Sequence, residues 1–297
     1  MNWRRRVLQF CIPVFVLSWS LQTWIALAYG NPKDPRAVPW GIAVMFTPAL
    51  ITLVLAALNR ESRALIQWRS SWRMLRPLFV GAVIPIVLAF ATVAIVEILS
   101  WGKSAWFEFS TTTVVISAGP WFLGLGSQGW PLFIANVLVT GAGFAVLNAL
   151  AAVGEELGWR GFLQGILIKD LGMARGIALL GLIWSFWHLP LLLAGYNYPE
   201  HPVLGAFVLF PLQLIAASYF FGWLTIRAGS FWPAAIAHGA VNSIQEGVSE
   251  QINMSVPHIY EDITRLALVI VTGLFFWWLL HRERTRQHAL ALGAVHD

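Results

Sequence analysis

The sequence predicts an all-α fold: a polytopic transmembrane helical bundle of about eight spans, with its chemistry in a four-helix region at 130–247. Three observations carry this. Of 297 residues, 58% are hydrophobic and 11% charged, whereas soluble domains carry roughly 25% charged residues to cover their surface. The apolar residues come in long runs, each about long enough for a ~30 Å hydrocarbon core. Many tryptophans (Trp3, Trp40, Trp101, Trp130) stand at run ends, where an indole buries its ring and wets its N–H. Trp184 and Trp187 lie inside a run and need another explanation.

The spans fall at 7–29, 39–58, 77–99, 130–153, 177–195, 203–225, 231–247 and 264–281. The first follows Arg4, Arg5 and Arg6, and with Ala26-Leu27-Ala28 behind it has the outline of a signal peptide. Its apolar stretch is long enough to span, so a retained first helix is expected rather than a cleaved one. Between the second and third spans, residues 59–76 alternate Arg with Leu, Ile and Trp, the pattern of a helix lying on the cytoplasmic surface. The fourth span is expected to continue through Trp159 towards Lys169 as a long or bent helix, and the seventh is short. The whole chain, 1–297, reads as one integral membrane domain. Its N-terminal spans occupy 1–129, the core 130–247, and the last span with a basic tail 248–297.

Charge gives the orientation. The N-terminus, the 59–76 segment (Arg60, Arg63, Arg69, Arg73, Arg76), the turn with Lys169 and Arg175, Arg227 and the tail (Arg282, Arg284, Arg286) are basic. The alternate loops carry Asp34, Glu108, Glu200, Glu246, Glu250, Glu261 and Asp262. Every second loop is the basic one, which places both termini in the cytoplasm, with a bacterial plasma membrane as the expected setting. The net charge of +5 thus reads as topology signal and lipid contact, and no nucleic-acid partner is expected. The single cysteine, Cys11, excludes an internal disulfide.

An ionisable side chain inside a span is costly and is a functional candidate by default. Three groups stand out. In Glu155-Glu156-Leu157-Gly158-Trp159-Arg160, Glu156 and Arg160 are i,i+4 on a helix and share a face. Glu155 is rotated about 100° away, free for chemistry, with Asn148 seven residues earlier on its own face. In Trp184-Ser185-Phe186-Trp187-His188-Leu189-Pro190, His188 lies within a span one turn after Trp184, and Pro190 bends the helix and frees a carbonyl. In Ser230-Phe231-Trp232-Pro233 and His238-Gly239-Ala240-Val241-Asn242, Ser230 is expected to cap the helix, and His238 and Asn242 are i,i+4. Each has a bland reading: headgroup charges at a helix end, a packing histidine, an interhelical hydrogen bond. Together, a carboxylate, two imidazoles and an amide on three helices match the parts needed for hydrolysis. There is no His-Glu-x-x-His motif for zinc, no aspartate within a span, and no glycine-flanked serine turn.

At these residues the chain resembles the CPBP (Abi) family, the CAAX proteases and bacteriocin-processing enzymes related to CAAX prenyl protease 2. The family pattern is Glu-Glu-x-x-x-Arg, then an aromatic and a His separated by three residues, then His-x-x-x-Asn, and the matched block covers about 130–247. Where the family usually has Phe this chain has Trp184, expected to serve as an aromatic wall. The resemblance implies a glutamate-dependent intramembrane protease of CAAX-processing or bacteriocin-processing type, acting on a peptide or protein that enters from the bilayer. On that model Glu155, assisted by His188, activates water, His238 and Asn242 hold the oxyanion, and Glu156 and Arg160 brace the site. No cofactor is expected; if a divalent metal such as zinc were present, Glu155, His188 and His238 would be its ligands. A non-catalytic bacteriocin-immunity or regulatory membrane protein is the alternative on the same fold, and a transporter a more distant one.

Overall fold

The computed structural model describes residues 3–293, with side chains to 282; Arg284 and Arg286 of the basic tail lie outside the described side chains. Helix α1 (Trp3–Tyr29) leads through a short 3-10 turn at Pro35–Ala37 into α2 (Val38–Leu58). Asp34 caps that turn by accepting from the Arg36 backbone N–H, and the Arg36 guanidinium pairs with it, holding the Asp34 carboxyl down at about 2. A single-turn helix α3 (Arg60–Leu65) follows, then α4 (Leu75–Ile98).

Residues 102–129 carry short strands: β1 (Gly102–Ser104), β2 (Phe107–Phe109), β3 (Thr113–Ile116) and β4 (Gly126–Gly129), the last three forming an antiparallel sheet. Helix α5 (Trp130–Gly158) passes through a π turn (Trp159–Leu163) into α6 (Gln164–Leu171) without a break. Gly172, at φ +78°, reverses the chain into α7 (Met173–Trp187).

Pro190 sits in the first turn of α8 (Leu189–Leu193), so His188 falls at the junction of two helices. Proline has no N–H for the Phe186 carbonyl four residues back, and that carbonyl accepts from Trp19 Nε1 of α1 instead. The next carbonyl, of Trp187, accepts from Gln22 Nε2. The break is therefore satisfied from outside. A short α9 (Pro202–Leu204) and a π turn (Gly205–Leu209) lead into α10 (Phe210–Ala228), which ends at Gly229 in the left-handed region. Helix α11 (Trp232–Ala240), a π turn (Val241–Gln245) and α12 (Glu246–Ser249) make one stacked rod. Strand β5 (Ile252–Met254) pairs antiparallel with β1, and α13 (Ile259–Gly293) closes the chain.

Among the described residues, six helical stretches are long and apolar enough to cross a bilayer, and α7 is a shorter apolar helix. Leu27, Leu58 and Ile98 are each about 80% exposed on the outer faces of such helices. Apolar side chains so placed suit lipid rather than water. The protein is an all-α membrane bundle.

Two sequence expectations fail. Over 59–76 the expected continuous surface helix is broken into α3 (Arg60–Leu65) and a 3-10 turn at Trp72–Met74 that leads into α4. Between the two the chain runs extended into the bundle, with Ile66 buried, the Gln67 N–H donating to the Gly161 carbonyl and the Gln67 carbonyl accepting from Phe231 N–H. Those tertiary hydrogen bonds outweigh the local helical pattern. Ser230 does not cap α11 with its side chain; the helix starts from Phe231, and Ser230 is fully buried.

Loop contacts sort the two ends of the bundle. At one end β1 pairs with β5, Lys33 pairs with Glu250, and Lys33 lies over the Tyr196 ring. These contacts join the loops after α1, α4, α8 and α12. At the other end Arg6 pairs with Glu61, and Gln67 ties the loop after α3 to the π turn at Gly161 and to the start of α11.

Candidate active site

Small residues let the helices carrying the site approach to backbone contact. A Cβ on Gly239 of α11 would stand 2.3 Å from the Ala145 carbonyl oxygen of α5. A Cβ on Gly158 would stand 2.4 Å from Pro48 Cβ of α2, and one on Gly181 of α7 would stand 2.6 Å from Ile215 Cα of α10. These contacts bring α11 and α2 against α5, and α7 against α10, around the polar residues singled out above.

Glu155 and Glu156 are both buried, on opposite errands. Arg160 Nη1 donates to Glu156 Oε1 at 2.9 Å, and His238 Nδ1 meets the same oxygen at 2.9 Å. Arg160 also donates to Ser218 Oγ at 3.2 Å, and its guanidinium lies 4.0 Å from the Trp184 ring centroid and 4.8 Å from that of Phe221. An arginine held in this way, paired, stacked and shielded, is a fixed part of the protein rather than a mobile charge. Glu156 is thus shared by a cation on its own helix and an imidazole from α11.

Glu155 takes a different set of neighbours. Trp184 Nε1 donates to its Oε2 at 2.7 Å, and its Oε1 lies 4.0 Å from His238 Nε2. The tryptophan expected as an aromatic wall is therefore also a donor, which phenylalanine at the same place would not be. Trp187, the other tryptophan inside the run, donates to Ser18 Oγ of α1. His188 does not bond Glu155: its Nδ1 donates to the Trp184 carbonyl at 2.9 Å, leaving Nε2 to accept. Its ring packs against Trp187 and Phe210 at centroid distances of 4.6 and 5.0 Å. The histidine closest to Glu155 is His238. Asn148, placed on the face of Glu155 by helical spacing, donates instead to the Phe144 carbonyl one turn back.

Glu155, Trp184, His188, His238 and Asn242 line one cavity of about 480 Å³. Asn242 reaches it from the π turn that follows α11. Gln22 of α1 and Gln245 of the same π turn also face it, both more than nine-tenths buried. Neither stands out in the sequence as a site residue. At the outer end stand Lys33, Tyr196, Glu246 and Glu250. Glu246, then burial, pushes the Tyr196 phenol above its ordinary range, so it faces the cavity as a neutral hydroxyl.

The donor set can be tested for a metal. Among the described residues, no group of three or more His, Cys, Asp or Glu is arranged to hold an ion. Trp184 occupies one oxygen of Glu155, Glu156 occupies Nδ1 of His238, and His188 bonds a carbonyl rather than Glu155. Those bonds take Glu155 Oε2 and the Nδ1 atoms of both histidines, which are the atoms that a metal bound through Oε1 and Nε2 would not use.

Residues 140–244 match the family model described as type II CAAX prenyl endopeptidase Rce1-like. The CAAX prenyl protease 2 of Methanococcus maripaludis is similar to this chain, 27% identical over 135 residues. That alignment covers 44% of this chain and 45% of the relative, so the likeness spans less than half of either. Glu155, Glu156, Trp184, His188, His238 and Asn242 all fall inside the matched segment.

Proposed function

We propose that this chain, whose core belongs to the CPBP family of intramembrane proteases, hydrolyses peptide bonds inside the membrane with water activated by Glu155. One observation carries the reading. Glu155 is a buried carboxylate with one oxygen fixed by Trp184, and the other faces His238 beside a cavity that His188 and Asn242 also line.

Glu155 Oε1 takes a proton from a water molecule as the water oxygen attacks the scissile carbonyl carbon. The carbonyl π bond opens and its oxygen becomes the oxyanion, facing Asn242 Nδ2 and His238 Nε2. For His238 to donate through Nε2 while Nδ1–H donates to Glu156, the ring must be the imidazolium, and carboxylates flank it on both sides. Collapse of the tetrahedral intermediate breaks the C–N bond, and the proton held by Glu155 passes to the leaving amine. His188 supports the water through Nε2 and does not contact Glu155 itself. Glu156 and Arg160 hold His238 and Trp184 in place. No step uses a metal.

A peptide or membrane-protein segment is the substrate on this reading, and the CAAX-processing and bacteriocin-processing types share the chemistry. Both termini lie in the cytoplasm by the distribution of arginine. The test compares membrane and secreted peptides from cells making the wild type and Glu155→Gln, with equal amounts of inserted protein. Peptides that depend on Glu155 support hydrolysis. If the two peptide sets are identical while Glu155→Gln keeps a cellular phenotype of the wild type, the chain works by binding.

A further inference from the structure

Among the described residues, the loop residues that line the cavity all belong to one end of the bundle. Its lining includes Pro32 and Lys33 from the loop after α1, Tyr196 and Asn197 from the loop after α8, and Glu250 from the loop after α12. These loops are joined to one another by the Lys33–Glu250 ion pair, with both side chains about half exposed, and by Lys33 lying over Tyr196. The β1–β5 pairing adds the loop after α4 to the same end. No residue of the 59–74 segment, of the turn at Gly172 or of the turn at Gly229 lines the cavity.

The two ends differ in charge. The end away from the cavity mouth holds the three arginines at the start of α1, five more from Arg60 to Arg76, and Lys169, Arg175 and Arg227. At the mouth, Lys33, Arg36 and Lys103 are set against Asp34, Glu108, Glu200 and Glu250. Short loops dense in Lys and Arg stay in the cytoplasm. The contacts that tie Arg6 to Glu61 and Gln67 to Gly161 and Phe231 put the basic loops together, so the charge bias belongs to one physical face.

We infer that the cavity holding Glu155 opens on the extracytoplasmic face, and that its substrate is an exported peptide or an extracytoplasmic membrane segment. This deepens the protease reading and rests on it for the word substrate. The side on which the cavity opens does not depend on catalysis. Substrate classes that share the chemistry are thereby separated: a modified cytoplasmic tail would approach the arginine-rich end, which contributes no loop residue to the cavity, whereas a segment leaving the bilayer outward meets Lys33, Tyr196 and Glu250 first.

Single cysteines placed at the two ends test it. In a Cys11→Ala background, Glu200→Cys marks the mouth end and Ser70→Cys the basic end; both positions are exposed. Intact cells are treated with a membrane-impermeant maleimide, before or after permeabilisation. Glu200→Cys should label in intact cells and Ser70→Cys only after permeabilisation. The reverse pattern, or equal labelling of both in intact cells, overturns the inference whatever the activity. In the peptide comparison, the peptides lost with Glu155→Gln should map to exported or extracytoplasmic sequence. If they map to cytoplasmic tails, the substrate class is wrong although hydrolysis stands. If no peptide is lost while the labelling holds, hydrolysis is wrong although the side of opening stands.

Discussion

Trp184 Nε1 and Glu155 Oε2 are joined by a 2.7 Å hydrogen bond, so one oxygen of the proposed base is fixed and the other is left for water. The other face of the same indole meets the Arg160 guanidinium at 4.0 Å. Trp184→Phe separates these roles, because it keeps a ring and deletes the N–H. A hydrogen bond to a charged group contributes about 1.5–3 kcal/mol, so turnover should fall roughly 10- to 100-fold with KM little changed. Trp184→Ala, which also uncovers Arg160, should lose folded protein as well. Steady-state kinetics of a Glu155-dependent peptide in proteoliposomes checks both.

Glu156 and Arg160 are fully buried and bonded to each other. Removing one partner leaves an uncompensated buried charge, at a cost of about 3–5 kcal/mol. Arg160→Met should therefore lower the thermal midpoint of the detergent-solubilised protein, read by size-exclusion chromatography after heating. The double variant Glu156→Met with Arg160→Met should recover part of that midpoint and none of the activity, since His238 loses its partner at Nδ1.

Gly239 follows His238 directly and touches the backbone of α5. Gly239→Ala would push α11 away from α5 and lengthen the 4.0 Å approach of His238 to Glu155. Overpacking costs about 1–3 kcal/mol. The protein should still insert and purify but turn over much more slowly. Near-normal turnover with unchanged KM would mean that this helix contact does not set the site.

Asn242→Ala removes one candidate oxyanion donor. Loss of such a donor lowers kcat roughly 100- to 1000-fold. Asn242→Asp, which keeps the shape and replaces donor with acceptor, should be no better. A loss confined to KM would move Asn242 from the reacting centre to substrate binding.

Chelation supplies a separate check on the donor set. Dialysis of the purified protein against a strong divalent-metal chelator should leave turnover unchanged, and elemental analysis should find no stoichiometric zinc. Activity that vanishes on dialysis and returns with zinc would overturn the metal-free reading and place the ion at Glu155 Oε1 and the histidine Nε2 atoms.

The sequence made some of this site legible and concealed the rest for definite reasons. Glu156 and Arg160 are neighbours on one helix, so 3.6-residue periodicity alone joins them. The bond from Trp184 to Glu155 crosses between helices, and its existence depends on rotation and depth that no local pattern encodes. His188 was paired with Glu155 by the family resemblance, whereas the Pro190 break places its ring at a helix junction and turns its Nδ1 to a carbonyl. The helix expected over 59–76 failed because Gln67 finds better partners in Gly161 and Phe231 than in its own turn. The strands between Gly102 and Gly129 hold three or four residues each, too few for alternation to stand out. The long runs, by contrast, announced the bundle plainly, because a membrane demands length and greasiness that few other settings allow.

The Gln67 peptide unit bonds the π turn after Glu155 on one side and the root of the His238 helix on the other. Those two helices are therefore stapled at their roots. Breathing that admits a bulky guest would come from the opposite rim, where the Lys33–Glu250 pair, Lys33 over Tyr196 and the paired β1 and β5 bridge the loops. The fold divides the labour between a rigid anvil beneath the reacting atoms and a yielding brim above them.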